Sequence, residues 1–207
     1  HHNENLRHCF QILKDNGLTI NLKKCSFSKT EISFFGFKIS SNGIKQMDDE
    51  IEAIMNFKEP TNVKEVRSFL GLVNFLSRFI PNLSSETVTL RKLTQKNVKW
   101  KWESSEKHAF DYLRNFAMNN WTLAHFNQRY ETFLIVDVRP DDLSAILAQQ
   151  QPAQSLRPVH FASKSLTKTE KNYSQIEKEA LAVLWGCKRY HLFLYGTTFT
   201  ILTDQKP

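Results

Sequence analysis

The second half of the chain changes its hydrophobic period in an order that restricts the fold more than any other feature. Tyr130 to Val138, Leu143 to Gln149 and Val159 to Lys164 read as three successive strands, separated by turns at Arg139 to Asp142 and Gln150 to Arg157. A helical pattern follows from about Tyr173 to His191, and Phe199 to Thr203 then returns as a strand. Three strands, a helix and a fourth strand make an α/β layout. The helix-linked strand is expected to lie parallel to one already laid down, through a right-handed crossover.

Two of these strands end in acids. Phe133-Leu134-Ile135-Val136 runs into Asp137, and Phe199-Thr200-Ile201-Leu202-Thr203 runs into Asp204, which is how a sheet holds two carboxylates at one edge. On a wheel of about 100° per residue, Ile176, Ala180, Val183, Leu184 and Cys187 form one face of the intervening helix, with Glu179 about 70° from its centre. Glu177 lies on the opposite rim, and the wheel permits either. Two strand-end aspartates and a helix-borne glutamate suit a pair of ions about 3.5–4 Å apart, one activating water and one stabilising the leaving oxygen of a phosphodiester. Oxygen donors of this kind favour Mg²⁺ or Mn²⁺ over zinc. Taken singly, each acid reads far more readily as a solvated surface carboxylate, and only the three together in the order strand, helix, strand point to a metal.

The first half is organised differently. Leu6, Phe10, Leu13 and Lys14 follow a helical period that ends at Asn16-Gly17, a pairing suited to a left-handed helix terminus. Leu18 to Asn21, Lys24 to Phe27 and Ile32 to Ile39 have strand character, with Ser41-Asn42-Gly43 as a turn before Ile44. Helical patterns then occupy residues 46 to 95, with Lys64, Arg67 and Arg78 among the polar positions of the segment from Thr61 to Ile80. Ser104 or Ser105 can open another helix with Ala109, Phe110, Leu113 and Phe116 inward.

Charge bounds the partners. With 28 Lys and Arg against 21 Asp and Glu, the net charge of +7 favours polyanions through phosphate neutralisation and counterion release. Cys9, Cys25 and Cys187 are far apart and odd in number, which argues against a disulfide framework and for reduced intracellular thiols. No apolar stretch is long enough to span a bilayer, so no membrane partner is expected.

Several motifs in order carry a family resemblance. Phe69-Leu70-Gly71-Leu72-Val73-Asn74-Phe75-Leu76-Ser77-Arg78-Phe79-Ile80-Pro81-Asn82 resembles the thumb-region motif of gypsy-class LTR retrotransposon Pol polyproteins. Phe161-Ala162-Ser163-Lys164-Ser165-Leu166, Glu170-Lys171-Asn172-Tyr173-Ser174, Glu177-Lys178-Glu179, Tyr195-Gly196 and Thr203-Asp204-Gln205-Lys206-Pro207 resemble the RNase H-like module that follows it. Asn21-Leu22-Lys23-Lys24-Cys25 and Phe34-Phe35-Gly36-Phe37 resemble the last palm strands of the reverse transcriptase.

The resemblance implies a fold that is α/β, or α+β overall. It consists of a small antiparallel palm-edge sheet, a helical thumb or connection region, and an incomplete RNase H-like mixed sheet with a flanking helix. The divisions it implies are 1–45 for the end of the palm, 46–98 for the thumb or connection, and 99–207 for the RNase H-like domain. It further implies a parent protein that performs RNA-directed DNA synthesis and uses two Mg²⁺ or Mn²⁺ ions to hydrolyse the RNA strand of RNA–DNA hybrids.

The matching catalytic and metal-binding acids are Asp137, Glu179 and Asp204, and the motif selects Glu179 over Glu177. Phe35, Gly36 and Phe37 fall in the primer-grip hairpin, and Lys64, Arg67, Arg78 and Arg139 are candidate nucleic-acid contacts. The implied partners are the RNA–DNA hybrid, the primer-template duplex and the remainder of the Pol polyprotein, in a cytoplasmic particle or the nucleus. The polymerase's paired aspartates are expected before His1, and a fourth RNase H acid after Pro207.

The chain departs from the family at Asp137-Val138-Arg139-Pro140-Asp141-Asp142-Leu143-Ser144. Asp142 and Ser144 stand where a glycine hairpin is the rule, and Arg139 places a cation beside the first acid. The alternative reading is a noncatalytic nucleic-acid-binding or interaction remnant of a decayed or co-opted element, which keeps the fold without turnover.

Overall fold

The computed structural model describes residues 2–119, 121–152 and 155–204, and the chain forms two compact units, His1–Ile32 and Ser33–Pro207. In the first unit, α1 (His2–Asp15) ends at Gly17, where Leu18 N–H donates to the Leu13 carbonyl at 2.9 Å. A 3₁₀ turn over Leu22–Lys24 follows, capped by the Asn21 side chain. The strand character expected at Leu18 to Asn21 and Lys24 to Phe27 is not realised. These residues find no ladder partner; the Asn21 side chain takes the Lys23 N–H, and the N–H groups of Lys24 and Cys25 turn back to the carbonyls of Asn21 and Leu22.

β1 (Glu31–Phe34), β2 (Phe37–Ser40) and β3 (Gly43–Gln46) form a small sheet in that order, β2 and β3 antiparallel about the Ser41-Asn42 turn. The single strand expected from Ile32 to Ile39 is broken in two by a turn at Phe35-Gly36, both at positive φ.

The helical segment comprises α2 (Asp48–Met55), α3 (Val63–Phe75), α4 (Leu83–Glu86), α5 (Val88–Leu93) and α6 (Ser104–Ala117), with a 3₁₀ turn at Ser77–Phe79. Its core joins Ile54, Val66, Phe69, Val73, Leu90, Phe110 and Leu113. The inward residues expected on α6 are all buried. They pack into the same core as the earlier helices, across residues 98 and 99.

The second sheet contains β4 (Thr132–Val138), β5 (Asp142–Gln150), β6 (Leu156–Ser165) and β7 (Phe199–Leu202), in the order β6-β5-β4-β7. β4, β5 and β6 run antiparallel, while β7 returns parallel to β4 after α7 (Lys168–Lys171), α8 (Gln175–Arg189) and α9 (His191–Leu194). Thr167-x-x-Glu170 and Ser174-x-x-Glu177 are capping boxes that start α7 and α8. One face of the sheet carries Leu134, Val136, Ala145 and Leu147 against α8. On the other, Phe161 and Ile146 meet Phe79 and Leu123, and Ser84 N–H donates to Ser163 Oγ at 2.8 Å. The sheet is therefore sandwiched between α8 and the helical segment.

α8 is rotated from the face its apolar residues suggest. Ile176 and Leu184 are 70% and 52% exposed, whereas Ala182 and Gly186 are buried on β4. A Cβ on Gly186 would lie 3.2 Å from Leu134 Cδ1 and 3.3 Å from Val136 Cγ1, so close helix-to-sheet approach selects small residues there. Among the described residues, no helix is long and apolar enough to cross a membrane.

Candidate functional site

Asp137 lies near the end of β4, opposite Ser144 of β5. β7 pairs with β4 through Ile135 and Leu202, and continuing that register by two residues brings Asp204 level with Asp137. The rotation of α8 places Glu179 on the same face as Ala182 and Gly186, turned toward the sheet rather than at the rim. Its carboxylate accepts from Thr203 Oγ1 at 2.9 Å and from Gln175 Nε2 at 3.0 Å. The helix acid is thereby tied to the residue that precedes Asp204.

Glu177 is engaged elsewhere. It accepts from the Ser174 backbone N–H and hydroxyl, both at 2.8 Å, closing the cap of α8. The Ser174 backbone hydrogen bond, followed by that from its side chain, holds the Glu177 carboxyl below the usual carboxylate range. The choice that the wheel leaves open thus has a physical basis: one glutamate caps the helix and the other faces the sheet.

The acids do not close on an ion. Among the described residues, no three His, Cys, Asp or Glu side chains come near enough to share one. Asp137 Oδ2 instead faces Arg139 Nε at 3.5 Å, with both side chains about two-fifths exposed. Both Glu179 oxygens are occupied by donors. As placed, these side chains do not fit the divalent ions that the resemblance implies, although their oxygen chemistry suits such ions.

The hairpin after Asp137 accounts for the residues that depart from the family pattern. Arg139 N–H donates to the Asp142 carbonyl at 2.8 Å, and Arg139 Nη1 reaches Ser85 Oγ of α4 at 3.4 Å. Ser85 Oγ in turn donates to Oδ2 of Asp142, which is 3% exposed. Asp142 is therefore a buried acceptor joining the hairpin to α4. Ser144, also buried, faces away from solvent.

Apart from Arg139, which faces Asp137 and Ser85, the candidate nucleic-acid residues separate into two groups. Phe35 is 79% exposed at φ +46°, with its ring against Phe34 at 4.5 Å between centroids. Lys64 and Arg67 are exposed on α3, where Arg67 Nη2 donates to the Thr94 carbonyl at 3.0 Å. Gly36, Phe37 and Arg78 turn inward. The Phe37 ring stacks on Phe75 at 5.2 Å, and the Arg78 guanidinium sits 5.2 Å from the Phe37 centroid. Burial lowers the Arg78 pKa.

Sequence reasoning did not anticipate Ser85, since nothing in its local pattern links it to a hairpin more than fifty residues away. It also missed the buried group formed by Tyr190 and His160. Tyr190 Oη donates to the Ala145 carbonyl at 3.0 Å, and His160 is held neutral to about pH 4 by burial first and then by the charges of Arg78 and Arg189.

Residues 102–201 match the family described as the RNase H-like domain found in reverse transcriptase. The chain is 33% identical over 207 residues to the Tf2-3 and Tf2-4 transposon polyproteins of Schizosaccharomyces pombe, a match covering 99% of this chain and 16% of each relative. The foamy viral protease–reverse transcriptase dRH in complex with double-stranded DNA superposes with a TM-score of 0.81 at 23% identity, covering 100% of this chain and 36% of that one. The same viral protein in complex with an RNA/DNA hybrid gives 0.81 at 22%, covering 100% of this chain and 28% of that one. At these identities the structural likeness establishes the fold. The motifs that end in Gln205-Lys206-Pro207 lie partly outside the described residues.

Proposed function

We propose, for a chain that belongs to the retrotransposon polyproteins through its RNase H-like domain of the reverse transcriptase type at residues 102–201, that it holds duplex nucleic acid within a longer protein. The parent would perform RNA-directed DNA synthesis and cleave the RNA strand of RNA–DNA hybrids. The observation that carries the binding role is Phe35. The Phe35 ring, 79% exposed, lies edge-on against the 56% exposed Phe34, so the turn between β1 and β2 presents two adjoining open aromatic rings of the kind on which bases stack. The net charge of +7, the exposed Lys64 and Arg67, and the nucleic acids bound by the matching viral proteins support the same reading.

The test is fluorescence anisotropy of the 207-residue chain with an RNA–DNA hybrid in EDTA, across a salt series. Phe35→Ala is expected to weaken binding by about 1–3 kcal/mol, the range for loss of an aromatic platform. Lys64→Ala with Arg67→Ala is expected to reduce the salt slope by about 0.9 for each phosphate contact removed. Affinity unaltered by either change would refute the proposal.

A second reading makes Asp137, Glu179 and Asp204 the acids of RNA-strand cleavage, with Mg²⁺ or Mn²⁺ as the ions. The Thr203 bond to Glu179 and the register of Asp204 beside Asp137 favour it. A chain extended through the rest of the RNase H region should then cleave a labelled hybrid, and Asp137→Asn should abolish that cleavage. Absence of cleavage by the extended chain with either ion counts against this reading.

A further inference from the structure

We propose that Arg139 is a built-in counter-cation of Asp137 that keeps divalent-metal affinity low at this end of the sheet. The inference rests on the second reading above, in which Asp137 is one of the cleaving acids, and adds to it a residue that controls whether that acid is available.

The structure supplies the restraint as well as the charge. Arg139 Nε faces Asp137 Oδ2 at 3.5 Å, while Nη1 of the same guanidinium is directed to Ser85 Oγ at 3.4 Å. At the other end, the Arg139 backbone N–H is fixed to the Asp142 carbonyl at 2.8 Å. Ser85 is itself oriented by donating to the buried Asp142 carboxylate. Two of the departures from the family pattern, the cation Arg139 and Asp142 at a glycine position, are therefore parts of one network. Asp142 positions Ser85, and Ser85 holds the Arg139 fork toward Asp137.

The guanidinium brings a delocalised positive charge and a planar fork of N–H donors to the carboxylate. A metal ion bound by the Asp137 carboxylate would stand a few ångströms from this positive charge. A divalent ion about 5 Å from a unit charge in a water-like dielectric loses roughly tenfold in affinity. The pair is about two-fifths exposed, which calls for that water-like dielectric rather than an interior one.

The experiment is a Mn²⁺ titration of the 207-residue chain without nucleic acid, read by water-proton relaxation. Arg139→Gln should bind Mn²⁺ about tenfold more tightly than the parent chain, and Asp137→Asn in that background should remove the gain. Arg139→Lys keeps the charge and should stay near the parent, and Arg139→Ala should reproduce the Gln result. The proposal is overturned if Gln or Ala variants, folded by circular dichroism, bind no better than the parent, or if Lys gains as much as Gln. Cleavage by the extended chain, lost with Asp137→Asn, alongside such a result would leave the reading of the acids standing and remove only the role of Arg139.

Discussion

Gly43→Ala is the sharpest test of how the small sheet is joined to the rest of its unit. Gly43 sits at φ +133°, and a Cβ built there would lie 2.1 Å from the Leu123 carbonyl oxygen and 3.2 Å from its carbon. Beside it, Ile44 N–H donates to the Leu123 carbonyl and Leu123 N–H donates to the Ile44 carbonyl, both at 2.9 Å. The clash is with backbone, so no rotamer change relieves it. Two costs follow: about 1–3 kcal/mol for holding alanine in that φ region, and about 1–3 kcal/mol for weakening two hydrogen bonds as the strands separate. Reduced freedom of the unfolded chain returns about 0.4–1 kcal/mol, which leaves about 3 kcal/mol of destabilisation.

The assay is urea unfolding followed by tryptophan fluorescence, for which Trp121 lies two residues from Leu123. Gly196→Ala is the matched control, because Gly196 is at φ +74° with nothing within 4 Å of a built Cβ and should cost only about 1–2 kcal/mol of backbone strain. If the two variants unfold within about 0.5 kcal/mol of each other, the steric argument at Leu123 is wrong.

Two further predictions follow from the packing of the second sheet. His160 takes up a proton near pH 6.5 when unfolded but only at about 4 when folded, so its contribution is complete above pH 6.5 and is lost as pH falls toward 4. Partial solvent access reduces the contribution to about 1–2 kcal/mol between pH 7 and 5, and His160→Gln should flatten the measured stability over that interval. Glu170, held at about 2 first by the Lys164 hydrogen bond, acts in a separate window below pH 4.5. Residues 121–207 expressed alone should unfold without cooperativity in calorimetry, because Phe161 and Ile146 would lose Phe79, and Ser163 its bond to Ser84. A sharp two-state transition of that piece would refute the sandwich as the source of its stability.

The order of elements from Tyr130 to Leu202 was legible because strand and helix periods alternate there without ambiguity, and the parallel return of β7 follows from its connection. The capping residues were legible for a similar reason, since Ser174 and Glu177 act within one turn of helix. Leu18 to Phe27 misled because apolar residues at strand spacing do not make a strand without a ladder partner. The face of α8 misled for a different reason. A hydrophobic wheel weights the large residues Ile176 and Leu184, but a helix lying directly on a sheet buries its smallest side chains, and Ala182 with Gly186 carried that information instead.

That rotation alters the argument about the acids themselves. At the rim of an apolar face, Glu179 would be one of many solvated glutamates. In line with Ala182 and Gly186 it lies on the side of α8 that packs closely on β4, where Gly186 has no room for a Cβ, and its carboxylate meets Thr203 after β7. Asp137 is equally well placed by β4, yet the hairpin that follows it directs a guanidinium back to its carboxylate. The backbone therefore brings the strand-end acids to one edge of the sheet, while the β4–β5 hairpin and α4 set a guanidinium against the first of them. Strand endings are set by local periodicity and can be read from sequence. The opposing network joins Ser85 to Asp142 across fifty-seven positions, and only the packing of α4 on the sheet brings the two together.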